Sequence, residues 1–274
     1  MSAAATPATP VGHPGGQARP TKPRHGAQVG AAVVVLAGIT LWAGIGVRID
    51  LPAIWTNWHN ATANIVQLLQ PDYGFFPKTI PALLETLQMA VIATAAGSAV
   101  SLPLAFLASR ATNPRSGLLR GVRLVMNMVR SVPDILYAAI LVAVVGVGAL
   151  SGIMALFMFN IGIIVKLVSE ALDGEDAGAQ EAALAAGASW PQASRAAMLP
   201  QILPSFASQV LYTFELNIRA STVIGLVGAG GLGILIDNVR SFFRYHELSM
   251  IILEILLLVL VLESVSSWLR KKLV

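Results

Sequence analysis

SEALDGEDAGAQEAALAAGASWPQASRAAMLPQILP, residues 169–204, is the one long stretch that departs from an otherwise apolar chain. Its run Ala177–Ala186 is rich in alanine, the strongest helix former. Asp173, Glu175 and Asp176 stand ahead of it, where the helix dipole favours acidic groups. Gly187 is the residue type expected just past a helix C-cap. Ser189 then caps a second helix, with Gln192 three residues on completing a capping box and Pro191 in the first turn. Pro200 and Pro204 are expected to close this helix and open the next apolar run. The stretch therefore predicts helix, glycine break, helix. Its small side chains allow another surface to come close. Partner docking and a plain connector both fit that pattern.

Outward from this stretch the chain is apolar on both sides. Of 274 residues, 55% are hydrophobic and 12% charged, about half the charge of an ordinary soluble domain. A water-soluble globule is excluded, and so is disorder over most of the length. There is no cysteine, which removes disulfides, thiolate metal sites and thiol nucleophiles. His13, His25, His59 and His246 are scattered without metal-ligand spacing. A bilayer span needs about 20 apolar residues. Six runs qualify: Val29–Val47, Ile80–Ala108, Ile135–Leu150, Gly152–Val168, Ile202–Val223 and Leu248–Leu269. The fold class is an all-α polytopic membrane protein. A turn near Ser151 and Gly152 is expected to make the third and fourth runs a tight hairpin.

Lysine and arginine placement sets orientation. With the N-terminus inside, the inner side carries Arg19, Lys22, Arg24, Arg110, Arg115, Arg120, Arg123, Arg130, Arg195, Arg270, Lys271 and Lys272. The outer side carries Arg48, Lys78, Arg240 and Arg244. Both termini are therefore expected in the cytoplasm. The same topology accounts for the net charge of +4, and no nucleic-acid partner is implied. Residues 1–28 are proline-rich with three basic residues and read as a disordered cytoplasmic tail. A cleaved signal peptide is disfavoured by the length of the following run and the lack of a small-residue cleavage site. Residues 29–71 hold the first span and a helix over about 50–70. Asp50 would cap that helix, Pro52 would start it and Pro71 would end it. Its Trp55 and Trp58 suit a membrane interface, while packing against the other spans fits equally.

Charges within spans are costly and need a reason. Glu215 and Arg219 are four apart in the favourable order for a helix pair. Lys166 and Glu170 have the same spacing. Glu254 and Glu263 are nine apart and cannot form one dyad; Glu263 is expected near the cytoplasmic headgroups, and Glu254 has no evident partner. Ser131 to Asp134 has the form of a capping box opening the third span. Gly228, Gly230 and Gly233 spell G-x-G-x-x-G, but no strand precedes them, so nucleotide binding is rejected. With Gly231 they suit either close helix packing or an irregular segment lining a pathway.

The spacing Glu181-Ala182-Ala183, three residues, Gly187, nine residues, Ala197-Met198-Leu199-Pro200 resembles the EAA loop of ABC importer permeases, E-A-A-x3-G-x9-I-x-L-P. Ala197 stands where that family has isoleucine. PLAFLASR (103–110), RSVPDILYAAILVAVVGVG (130–148) and FELNIRASTVIGLVGAGGLG (214–233) are similar to the phosphonate-type permeases within it. The resemblance implies a type I importer permease core over 72–274. Its coupling loop at about 170–204 would contact the ATPase through Glu181, Ala182, Ala183, Gly187, Leu199 and Pro200. It also implies a bacterial inner-membrane location, a homodimer of this chain, two copies of an ATP-binding subunit and a soluble substrate-binding protein. ATP and magnesium would sit on the ATPase, since this chain has no phosphate loop of the G-x-x-x-x-G-K-[ST] form and binds no cofactor itself. Under this resemblance the pathway would carry a phosphonate- or phosphate-type oxyanion past Glu215, Arg219, Gly228, Gly230, Gly231 and Gly233. Arg219 either attracts the oxyanion, neutralises Glu215 or lies at a dimer interface. The alternatives are a permease for another small solute such as an amino acid, a secondary transporter and a membrane enzyme. Catalytic motifs such as H-E-x-x-H and G-x-S-x-G are missing, and a secondary transporter would leave the EAA spacing unexplained.

Overall fold

The computed structural model describes residues 26–47 and 51–273. The expected tail over 1–25, the Asp50 cap and Arg48 lie outside the described residues. Residues 26–28, which the tail reading included, already belong to helix α1 (Gly26–Gly46). The chain divides into two units, residues 1–59 and 60–274. In the first unit, α1 presents apolar side chains to the outside all round, with Val34, Leu36, Trp42 and Ile45 exposed. A helix apolar on every face belongs in lipid. The expected helix over 50–70 is two pieces, α2 (Leu51–Thr56) and α3 (Trp58–Leu68). They part at Asn57, whose Nδ2 donates to the Ala53 carbonyl at 2.9 Å.

The second unit is a helical bundle. Its members are α4 (Phe76–Ala108), α5 (Ser116–Ser131), α6 (Asp134–Val145), α7 (Ala149–Gly174), α8 (Gly178–Ala185), α9 (Trp190–Ala193), α10 (Leu199–Gly225), α11 (Gly231–Ser241) and α12 (Tyr245–Leu273). No strand occurs among the described residues. The segment after α3 is tied to the start of α12: the Asp72 amide donates to His246 O at 3.1 Å, and His246 Nδ1 lies 2.7 Å from Gln70 O.

α4 and α7 pack along each other at the centre of this unit, and α10 crosses both. Met89, Ala93, Leu156 and Ile224 fill one end of that seam. Ile164, Val168, Leu172, Met198 and Ile202 fill the other. Two hydroxyls inside the bundle find backbone acceptors in their own helix: Thr94 donates to Ala90 O and Ser98 to Thr94 O, each at 2.6 Å. Without water nearby, such groups need an internal partner. Asn217 Nδ2 on α10 donates to Thr94 Oγ1 at 2.7 Å, a polar tie between spans.

Four stretches among the described residues are long and apolar enough to cross a membrane: Val29–Gly46, Tyr73–Ala108, Ala149–Gly174 and Tyr245–Lys272. The third expected span is altered. α6 has 12 residues, about 18 Å of helix, and cannot cross alone. Together with α5, bent from it by 83°, it has the length and apolarity of a broken span or a re-entrant loop. α10 has 27 residues, long enough, but Gln201, Gln209, Glu215, Asn217 and Arg219 make it more polar than the rest.

Three local expectations are corrected. The hairpin turn lies at Gly146–Gly148, not at Ser151 and Gly152, because Gly146 and Gly148 take φ of +106° and +134°, where glycine is favoured. Ser151 lies inside α7 and donates to Gly148 O at 2.7 Å. Ser131 and Asp134 form no capping box. Ser131 ends α5 and donates to Met128 O, while Asp134 begins α6 and accepts its neighbour Ile135 N–H. Pro200 does not close a helix either. Residues Ser194–Met198 make a π turn leading straight into α10, in which Leu199 N–H reaches back to Ser194 O. Widening the turn accommodates the N–H that Pro200 lacks.

Candidate functional site

The stretch 169–204 folds into a projection built on α8 and α9. α8 ends with both hydrogen bonds of a Schellman closure: Ala188 N–H donates to Ala183 O at 3.1 Å and Gly187 N–H to Leu184 O at 2.9 Å. Gly187 has φ +89° with open space where a Cβ would stand. Glycine is therefore required by the backbone and not by a crowded neighbour. Ser189 starts α9 with its N–H donating to Gln192 Oε1 at 2.9 Å, as the capping pattern predicts. Glu181, Ala182 and Gly187 are exposed; Ala183 and Leu199 are half-buried; Pro200 is exposed at the first turn of α10.

Two residues that sequence reasoning did not single out anchor this projection. Gln180 is buried, and its Nε2 donates to Ala111 O at 2.9 Å and to Ser194 Oγ at 3.2 Å. Trp190 Nε1 donates to Thr112 O at 2.8 Å. Asp173 was expected to favour the start of α8 electrostatically. Instead it closes the α4–α5 loop, accepting from Ser109 Oγ at 2.6 Å and Arg110 N–H at 2.6 Å, and pairing with Arg123 at 2.8 Å. Asp176 supplies the local cap, accepting Gly178 N–H at 2.9 Å. The only sequence signal for Gln180 was its polarity amid alanines. No local pattern named its partner.

The expected Glu215–Arg219 pair is not formed. Glu215 meets Arg270 at 3.0 Å, with its side chain 10% exposed. Arg219 lies 3.8 Å from Glu263. Helical spacing allowed the local pair, but α12 runs antiparallel to α10 and offers each charge a partner from outside its own helix. Lys166 does pair with Glu170. Glu254 is buried, and neither carboxylate oxygen has a hydrogen-bond partner among the described residues.

The glycines after α10 form a turn pressed between helices. Gly228 O accepts Gly148 N–H at 2.9 Å. A Cβ on Gly230 would lie 3.0 Å from the Ala149 backbone and from Glu85 Oε1, and one on Gly231 would lie 2.5 Å from Thr86 Oγ1. Gly233 approaches the α10 backbone at Thr222 and Gly225. Thr86 Oγ1 also accepts Leu232 N–H at 2.9 Å. These contacts are of the close-packing kind. Among the described residues no cluster of three or more histidine, aspartate or glutamate side chains suits a metal ion.

Residues 101–274 match the family described as binding-protein-dependent transport system inner membrane component. The chain is 35% identical over 244 residues to the phosphite transport system permease protein PtxC of Stutzerimonas stutzeri, covering 89% of each chain. It is 33% identical over 242 residues to the phosphate-import permease protein PhnE of Mycolicibacterium smegmatis, covering 88% of this chain and 45% of that one. Its fold is that of a chain in the inward-facing MetNI methionine ABC transporter, with TM-score 0.66 and 23% identity, over 74% of this chain and 99% of that one.

Proposed function

The chain belongs to the family of binding-protein-dependent transport system inner membrane components, and on that premise we propose that two copies of it form an import pathway for a phosphite-, phosphonate- or phosphate-type oxyanion. It is a transport permease subunit of the inner membrane. In this reading both termini are cytoplasmic, two separate ATP-binding subunits bind ATP and magnesium, and a soluble binding protein delivers the solute outside.

The observation that carries the reading is the projection at 178–193. Its outer face is small and exposed at Glu181, Ala182 and Gly187. Its inner face is bolted by Gln180 and Trp190 to the loop joining α4 and α5. A force applied to α8 therefore reaches α4, α7 and α10 without being lost in a floppy hinge. Closure of two ATPase subunits on ATP would move the projections, and the spans would rock between inward and outward access. Glu181, Ala182, Ala183 and Gly187 meet the ATPase, and Leu199 and Pro200 transmit the movement into α10. In this reading Gly228, Gly230, Gly231 and Gly233 pack the turn between α10 and α11 against α4 and the start of α7 beside the pathway, and Glu215 and Arg219 hold α10 against α12 through Arg270 and Glu263.

Reconstitution in vesicles with the ATPase and the binding protein tests the reading. ATP-dependent uptake of radiolabelled phosphite or phosphate is the expected result, together with co-purification of the ATPase on tagged chain. A chain that brings down no ATPase, or vesicles that take up neither anion, would overturn it.

A further inference from the structure

We infer that Arg130 is the oxyanion-contact residue of the translocation pathway. The assignment deepens the oxyanion reading above and rests on it.

Arg130 sits one residue before the end of α5, where the broken span bends by 83° into α6. Val132 and Pro133 between the two helices are extended. The depth of this break follows from its contact with α7. A Cβ on Gly162 would lie 2.7 Å from Arg130 Cγ, so the arginine stem presses on that glycine. Gly162 is thirteen residues from the start of α7 and twelve from its end, so Arg130, which the sequence reading counted among the inner-side charges, instead crosses a spanning helix at its middle. Irregular backbone at such depth is tolerated where it is buried or lines a wet cavity. Part of the break is satisfied internally, since Tyr137 Oη donates to Val129 O at 2.9 Å.

The charge at the break is not answered. Arg130 lines two cavities, of 240 Å³ and 280 Å³. In the first, Arg123 is paired with Asp173 and Lys166 with Glu170. In the second, Asp134 is the acidic neighbour, but its carboxylate accepts the Ile135 amide and makes no ion pair with Arg130. Arg130 is exposed and has no ion pair among the described residues. An unpaired guanidinium at mid-span is too costly to leave facing lipid. It fits a water-filled route, where its planar fork can hold two oxygens of a phosphite or phosphate. Arg219, by contrast, already has Glu263 within 3.8 Å.

The chain has no cysteine, so Arg130→Cys introduces a unique thiol. With cysteine-free partner subunits in vesicles, three variants decide the matter. Arg130→Met keeps the stem over Gly162 and removes the charge. It is expected to cut phosphite uptake roughly tenfold to hundredfold, the loss of one charge-assisted contact, while ATP hydrolysis persists. Arg130→Lys is expected to retain part of the uptake. The introduced thiol of Arg130→Cys is expected to react with a cationic thiosulfonate and to regain uptake after cationic but not neutral labelling. Wild-type vesicles that import no oxyanion would overturn the functional reading and this assignment with it. Wild-type uptake that survives unchanged in Arg130→Met would overturn the assignment alone. If Arg130→Met fails to assemble, the thiol decides: one that is unreactive, or that regains no uptake after cationic labelling, overturns the assignment.

Discussion

Gln180 and Ala111 are sixty-nine positions apart and joined by one hydrogen bond of 2.9 Å, and that bond fastens the projection at 178–193 to the loop between α4 and α5. Gln180 is buried, and its replacement takes from the Ala111 carbonyl its side-chain donor. Gln180→Leu is expected to destabilise the folded chain by about 1–3 kcal/mol. It should also lower uptake per ATP hydrolysed more than it lowers ATP hydrolysis. Thermal unfolding in detergent and the coupling ratio in vesicles check the two effects separately.

Gly187 has room for a side chain but the wrong φ for one. Gly187→Val is expected to cost about 1–2 kcal/mol of local backbone strain and to reshape the end of α8. Gly187→Asn should be milder, because asparagine visits that conformation more readily. Membrane insertion should be normal in both, with uptake lost in the valine variant and largely kept in the asparagine one. Equal uptake in the two would count against the backbone explanation.

The Glu215–Arg270 pair predicts non-additive losses. Glu215 is nearly enclosed, so Arg270→Gln leaves a carboxylate without its counter-ion and is expected to cost about 3–5 kcal/mol. Glu215→Gln together with Arg270→Gln should recover part of that loss. A double-mutant cycle on thermal stability measures the coupling.

Gly225 faces backbone, not side chains: a Cβ there would lie 2.5 Å from Gly230 O and 2.6 Å from Gly233 Cα. Backbone cannot swing aside as a flexible side chain can. Gly225→Ala is expected to destabilise by about 1–3 kcal/mol and to spread α10 from α11. Reduced thermal stability of the purified chain, with insertion retained, is the expected readout.

Asp173 collects three groups of the α4–α5 loop and the Arg123 guanidinium. Asp173→Asn keeps the shape and removes the charge, so Arg123 loses its counter-ion. Faster proteolysis within residues 109–115 is expected, with α8 still helical. Unchanged cleavage there would mean that the amide satisfies the loop as well as the carboxylate does.

The sequence by itself determined what depends on neighbours within a helical turn or on the length of an apolar run. The alanine run and Gly187 announced α8 and its closure. Ser189 and Gln192 announced the start of α9. The apolar runs announced four long apolar helices, though not the bent third run or the more polar fifth, and the EAA spacing announced the family. Each of these is a relation between residues a few positions apart, or a solvent requirement that any bilayer imposes. Local reasoning failed where a long-range partner competed. Glu215 and Arg219 had ideal spacing for each other, yet α12 supplied Arg270 and Glu263. Asp173 had a place near a helix start, yet Ser109 and Arg123 claimed it. The break at Ser131–Pro133 read as a cap, yet it bends a span and sets Arg130 against the middle of α7. Only the tertiary structure decided these pairings, because a charge or hydrogen-bonding group in an apolar bundle settles with whichever partner packing brings within reach, and packing joins helices that the chain separates by tens of residues.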